Sequence, residues 1–285
     1  MVNLSQLWTT ERIWQVPPGW RQGRGAWGGL VAGQVVTAAT ADLPDLRLAP
    51  RSLCIAMLGP VLAGDVLCEV RDLRRGRATL AREVTLTGPD DDLLTRAVVV
   101  FGVPRAGTAV ADVAPGAPDP QPEPGAQRAE LPTPPAPEFA SQLVFSPVAG
   151  FPFSGARNLL ATGWISLGEE STDTLTPAVI AALADAWWTV SITGIDGAAL
   201  GPEGIPPVAT LDFSLSFPCP PARPEPGAAV AAEPTSRELW QRGLWHIGRG
   251  IAGQQGYLTE SRELWTPDGR LLALNSQVIA VGRAG

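Results

Sequence analysis

The alternation of apolar and polar positions marks the chain out as a series of short strands. It is clearest over residues 208–217, VATLDFSLSF. There Ala209, Leu211, Phe213, Leu215 and Phe217 fall on one face, and Thr210, Asp212, Ser214 and Ser216 on the other. Two longer segments read as hairpins, each a strand, an acidic turn and a strand: REVTLTGPDDDLLTRAVVVFG from Arg82, and RELWTPDGRLLALNSQVIAVG from Arg262. Pro-Asp-Asp-Asp and Pro-Asp-Gly supply the turn chemistry. A shift of 180 residues superposes Arg82 on Arg262, Glu83 on Glu263, Val98 on Val278 and Gly102 on Gly282, with one residue of slack in the turn. This order of elements predicts an internal duplication.

Each half also carries one helix candidate. The first, residues 28–41, GGLVAGQVVTAATA, is rich in Gly and Ala, small residues that let a helix lie close to a sheet. The second spans residues 177–192, with Thr176 as N-cap and Pro177 in the tolerated first position. Ile180, Leu183, Ala184 and Trp187 form one apolar stripe, and Ala181, Trp188 and Ile192 another; a helix apolar on most sides is buried. Two proline-rich stretches divide the chain. Residues 104–147, with PGAPDPQPEPG and PTPPAP, read as a semi-rigid spacer, and residues 218–234 as a surface insertion. The predicted organisation is therefore an N-terminal unit over 1–103, a linker over 104–147 and a C-terminal unit over 148–285.

Composition narrows the chemistry. With 28 acidic and 21 basic residues the formal charge is −7, which argues against a nucleic-acid partner. Every basic residue is an arginine, so lysine Schiff-base chemistry is excluded. Cys54, Cys68 and Cys219 are too scattered for a zinc site, and no metal or other cofactor is expected. A serine–histidine triad could rest only on His246, for which a solvated or core position is the simpler reading. No run reaches the roughly 18 apolar residues of a membrane span. Together with an odd cysteine count and no basic-then-apolar leader, this gives the expectation of a cytoplasmic protein.

Three polar residues stand out. Asp185 lies within ALADAWWTV, on the apolar second helix, where a carboxylate needs partners. A structural hydrogen bond to a neighbouring loop, or a solvent-facing side of the helix, would account for it as well as chemistry would. Thr210 lies on the polar face of the 208–217 strand, which a half-exposed strand would also present. Gln277 shares a face with Asn275 in the last strand, and the 180-residue shift places Ala97 opposite it, so the amide belongs to one half only. That asymmetry suggests a single site.

The helix AALADAWW, the strand VATLDFSLSF and the hairpin RELWTPDGRLLALNSQ occur in the order found in the acyl-CoA thioesterase II family. The segment Gly28-Gly29-Leu30-Val31-Ala32-Gly33-Gln34 resembles that family's GGxxxGQ helix. The resemblance implies an α+β double hot-dog fold, two antiparallel sheets each wrapped around one long helix. It also implies hydrolysis of an acyl-CoA or acyl-carrier thioester by a water activated without a covalent intermediate. In this reading Asp185 is the base, and Thr210 and Gln277 orient the water. The backbone amides of Gly28, Gly29 and Leu30 would face the thioester oxygen. Trp27 and Trp188 would flank the substrate pocket, while Trp187 reads as core packing. Association into a homo-oligomer is implied as well. The alternative is a non-catalytic acyl-thioester-binding or biosynthetic hot-dog protein. A hot-dog hydratase is disfavoured, because the fifth residue after Asp185 is Val190 and not histidine.

Overall fold

A computed structural model describes residues 3–105, 129, 136–201, 204–218 and 235–282. In chain order the elements are β1 (Ile13–Val16), β2 (Arg21–Gln22), β3 (Gly25–Ala26), α1 (Gly28–Thr40), β4 (Ala49–Met57), β5 (Gly64–Arg75), β6 (Thr79–Thr87) and β7 (Leu93–Gly102). They continue with β8 (Val144–Ala149), β9 (Leu160–Ser166), α2 (Pro177–Ala184), β10 (Val208–Ser216), α3 (Ser236–Arg242), β11 (Leu244–Gln254), β12 (Tyr257–Trp265) and β13 (Leu271–Val281). Most of the second proline-rich stretch, and residues 106–128 and 130–135 of the first, lie outside the described residues. The stretch 136–147 is part of the fold: Phe139 is buried, and β8 begins at Val144.

The expectation of two separate sheets is corrected. Eleven strands form one antiparallel sheet in the order β1-β5-β6-β7-β4-β10-β13-β12-β11-β9-β8. Its two halves join where β10 pairs with β4, with Phe213 opposite Ile55. This seam removes the inner edge of each half, which would otherwise present unpaired backbone groups. Helix α1 packs on the first half and α2 on the second, and the two helices pack on each other.

The helices differ from expectation as well. Thr176 caps α2 as predicted, its side chain accepting from the Val179 N–H, and every residue from Ala178 to Ala184 is buried. The helix nevertheless stops at Ala184, with Asp185 as C-cap, eight residues before the predicted end at 192. Beyond it Thr189 opens a separate 3₁₀ turn, Val190–Thr193, by accepting from the Ser191 N–H. A bulky, β-branched Trp-Trp-Thr-Val run favours such a break. The glycines of α1 admit neighbours other than the sheet. A Cβ on Gly29 would lie 2.4 Å from the Ala182 carbonyl oxygen of α2 and 2.2 Å from the Trp27 ring, and one on Gly33 would lie 2.0 Å from Trp8.

The duplication is present, but its register is not the one the shared Arg-Glu pairs suggest. Thr87 faces Leu93 at the first hairpin turn and Trp265 faces Leu271 at the second. Bulges follow at corresponding places, between Asp72 and Arg74 opposite Arg82, and between Gly250 and Ala252 opposite Glu260. All these equivalent positions lie 178 residues apart, not 180. The counterpart of Gln277 is therefore Val99, not Ala97, and those of Asn275, Arg262, Glu260 and His246 are Ala97, Val84, Arg82 and Cys68. The second hairpin buries polar groups at positions where the first buries mostly apolar ones.

Candidate active site

Asp185, Gln277 and Thr210 come together at the end of α2. Gln277 Nε2 donates to Asp185 Oδ1 over 3.0 Å and also to Asn275 Oδ1 at 3.0 Å. Thr210 Oγ1 donates to Gln277 Oε1 over 3.1 Å. Two acceptors on one side and a hydroxyl on the other fix which way the amide points. Gln277 is wholly buried, Asp185 is 7% exposed, and Thr210 is half-buried on the more open side of the cluster.

Thr210 reaches this cluster through an irregularity absent from the simple alternation. In the pairing of β10 with β13, Asp212 lies opposite Val278 and Thr210 opposite Ile279, leaving Leu211 as the extra residue of a bulge. The bulge moves Thr210 off the face of Asp212 and Ser214 and onto that of buried Phe213. Leu211, predicted to face inward, is 41% exposed. The predicted grouping of Thr210 with Asp212, Ser214 and Ser216 is thus corrected, and the correction is what brings the hydroxyl to Gln277.

The Asp185 carboxylate lies against the start of α1. A Cβ on Gly28 would sit 2.7 Å from Asp185 Oδ2. The Gly29 N–H, at the start of that helix, is among the influences that lower its pKa. Burial is the largest influence and raises the carboxyl pKa to about 6. Arg262, the Gln277 hydrogen bond and the Gly29 N–H work in the opposite sense, and nearby Glu260 adds to the rise. The result is an acid that titrates just below neutrality.

Trp27 is wholly buried, stacked on Phe139 with ring centroids 4.6 Å apart, and its Nε1 donates to the Asp185 backbone carbonyl at 3.2 Å. Its side chain anchors the loop that carries the acid. Trp188 is half-buried and donates to the Gly150 carbonyl at 2.9 Å. Trp187 is core, stacked on His246 at 5.0 Å. His246 is buried too, and burial together with Arg262 holds its pKa well below 6.5, so it is neutral. Two hollows, of about 640 and 270 Å³, are lined by residues that include Glu169 and Arg237 in the first and Thr174 and Asp268 in the second, and Asp185 lines neither. Gln34 of the GGxxxGQ segment is buried and ties Thr9 to α1 through both its backbone N–H and carbonyl.

Two charged members of the cluster were not singled out in the sequence. Arg262 Nη1 lies 3.5 Å from Asp185 Oδ1 and its Nε 2.7 Å from Glu260 Oε1, with both side chains almost wholly buried. The signal was available in YLTESRELW, where Glu260 and Arg262 occupy the apolar face set by Leu258 and Leu264.

Comparison with known proteins identifies the class. Residues 16–102 match the model of the acyl-CoA thioesterase N-terminal domain. No curated protein matches the chain in sequence. Among solved structures, a putative thioesterase II from Thermobifida fusca YX superposes with a TM-score of 0.74 at 18% identity, covering 99% of this chain and 98% of its own. A conserved protein of unknown function with hot dog fold from Alicyclobacillus acidocaldarius gives 0.72 at 21%, covering 96% and 93%. An acyl-CoA thioesterase II, TesB2, from Mycobacterium marinum gives 0.61 at 18%, covering 92% and 91%. The fold is a hot-dog fold, and the likeness of fold extends along nearly the whole chain. The family-model match over residues 16–102 supports a thioester hydrolase. Among the described residues no helix is long and apolar enough to cross a membrane.

Proposed function

We propose that the protein hydrolyses acyl thioesters, of coenzyme A or of an acyl carrier, with a water molecule activated by Asp185. The observation that carries this reading is the Asp185–Gln277–Thr210 chain of hydrogen bonds on a buried carboxyl that ionises near pH 6. Gln277 holds Oδ1, which leaves Oδ2 to take a proton. Thr210 gives its proton to Gln277, so its oxygen lone pairs remain to accept a hydrogen bond from the same water. Held between Oδ2 and Oγ1, the water turns a lone pair toward the substrate carbonyl.

In the first step the water oxygen bonds to the thioester carbon while its proton passes to Asp185. The carbonyl oxygen gains the negative charge, beside the positive end of α1 and the amides of Gly28 and Leu30. Collapse breaks the carbon–sulfur bond, and the proton on Asp185 passes to the departing thiolate. The products are a carboxylic acid and a free thiol, with no acyl-enzyme formed. Thiol release measured across a series of acyl-CoA lengths tests the reading. Wild-type turnover with loss of roughly 10²- to 10⁴-fold in Asp185→Asn supports it. Undiminished turnover in that variant refutes the water mechanism, and acyl-CoA binding without thiol release by the wild type favours the binding-protein alternative.

A further inference from the structure

Arg262 and Glu260 form a charged pair that the hydrolytic steps above do not use. Both are almost wholly buried, a costly arrangement for two charges unless geometry and further hydrogen bonds compensate. The compensation is extensive. Glu260 Oε1 accepts from Arg262 Nε, and Oε2 accepts from Thr189 Oγ1 at 2.7 Å and from the Val190 N–H at 3.0 Å. Arg262 Nη1 also reaches the Ala184 carbonyl, the last residue of α2, at 3.4 Å. The pair thus grips both sides of the break between α2 and the following 3₁₀ turn, where Asp185 stands.

The duplicated hairpin shows that the fold does not need this arrangement. At the position of Arg262 the first hairpin has Val84, and at that of Gln277 it has Val99, both wholly buried. At the position of Glu260 it has Arg82, whose guanidinium binds the Ala39 and Ala41 carbonyls at the end of α1 and pairs with the partly exposed Asp72. Both hairpins therefore use an arginine to hold the C-terminal end of their helix. Only the second adds a buried acid behind it and turns the guanidinium toward a second carboxylate. A buried charge stands at this position only in the half that carries Asp185; the other half has a buried valine there.

We propose that Arg262 is a positioning residue for Asp185, held in place by Glu260, and that this buried carboxylate–guanidinium–carboxylate chain sets the proton affinity of the base. The proposal rests on the reading of Asp185 as that base. The groups facing Asp185 are Arg262 and Glu260 from β12, Gln277 from β13 and the Gly29 N–H from α1. From β11, His246 lies beside Arg262 and is neutral. An unopposed arginine would hold Asp185 ionised but weakly basic; Glu260 draws off part of that charge, so that the acid stays ionisable and still binds a proton.

The test reads the titration of Asp185 in two ways. One is the acid limb of kcat/KM for thiol release. The other is the carbonyl-carbon NMR midpoint of aspartate-labelled protein, with Asp185→Asn assigning the signal. Arg262→Gln is expected to move both upward by about one pH unit or more. Glu260→Gln is expected to move both downward. Arg262→Lys keeps the charge but not the fork that reaches Ala184, Asp185 and Glu260 together, so the midpoint stays near wild type while kcat falls. A folded Arg262→Gln protein with an unmoved NMR midpoint overturns the proposal. If that variant does not fold, an unmoved midpoint in Glu260→Gln overturns it instead. The NMR midpoint needs no turnover, so a wild type that releases no thiol would count against the hydrolase reading and not against the coupling.

Discussion

Gln277 Nε2 donates to Asp185 Oδ1 across 3.0 Å, joining the last strand of the sheet to the residue that ends α2. The same amide receives the Thr210 hydroxyl on its other side. Replacing Gln277 with Glu puts an acceptor where Nε2 now donates, facing two acceptors, Asp185 and Asn275. The carboxylate would repel Asp185 or take up a proton itself. Turnover is expected to fall by about 10²-fold through misplacement of the base, with the residual activity greater at lower pH. Steady-state thiol release between pH 5 and 8 checks this, and a variant as active as wild type at neutral pH would remove Gln277 from the site.

The two adjacent glycines that open α1 should separate function from stability. A Cβ at Gly28 would meet chiefly the Asp185 carboxylate at 2.7 Å, the mobile end of a side chain. Gly28→Ala is therefore expected to fold, with a melting temperature within a few degrees of wild type and turnover reduced tenfold or more. A Cβ at Gly29 would strike the Ala182 carbonyl at 2.4 Å and the Trp27 ring at 2.2 Å. Relief requires α1 and α2 to move apart, a cost of about 1–3 kcal/mol or more for overpacking of this kind. Thermal unfolding of the two variants side by side decides the matter, and equal stabilities would contradict the packing described.

These glycines illustrate what the sequence could and could not convey. The spacing GGLVAGQ marked a helix that something approaches closely, but not that the neighbours are α2, Trp27 and Trp8 and not the sheet. Period-two alternation located β10 to within a residue, yet assigned Thr210 to the wrong face, because a bulge adds one residue without altering the pattern around it. The early end of α2 was hidden for a related reason. Apolar periodicity continues through Trp187 and Trp188, and the break is held by Arg262 and Glu260, 70 or more positions downstream. The repeated Arg-Glu pairs pointed to a true duplication at a false offset, since strand pairing and bulges, not matching letters, define equivalence. The local trace of these long-range contacts is slight: Glu260 and Arg262 on the apolar face of YLTESRELW mark a buried pair, but not its partners on α2.

The bulge itself can be tested by exchanging two neighbours. Thr210 faces the site and Leu211 is the extra residue turned outward. The double change Thr210→Leu with Leu211→Thr keeps composition and hydrophobicity, yet should abolish the hydroxyl's contact with Gln277. Turnover is expected to match that of Thr210→Ala, about 10²-fold below wild type. Leu211→Thr alone, altering only an exposed side chain, should leave turnover within about twofold. An active exchange variant would mean that the strand runs regularly through this point.

The pH dependence of stability isolates Asp185 from every other titrating group. Its carboxyl binds protons more tightly folded, at about pH 6, than in the unfolded chain, at 3.8. Between these values the native state carries the extra proton, so this group's contribution to stability is present at low pH and is lost as pH rises from about 4 to about 6. The loss amounts to roughly 3 kcal/mol. His246 acts in the opposite sense: neutral when folded, it charges in the unfolded chain below about 6.5, so its effect is to weaken the fold as pH falls. Wild type should therefore show a shallow profile between pH 4 and 6.5, where the two slopes oppose each other. Asp185→Asn removes one slope only. Its stability relative to wild type should rise steadily from pH 4 to pH 6.5 and then level off, while its own profile declines monotonically on acidification. Denaturant unfolding of both proteins at half-unit steps measures this difference directly. A difference that is flat across the range would mean that Asp185 is solvated, and a buried base would then be untenable.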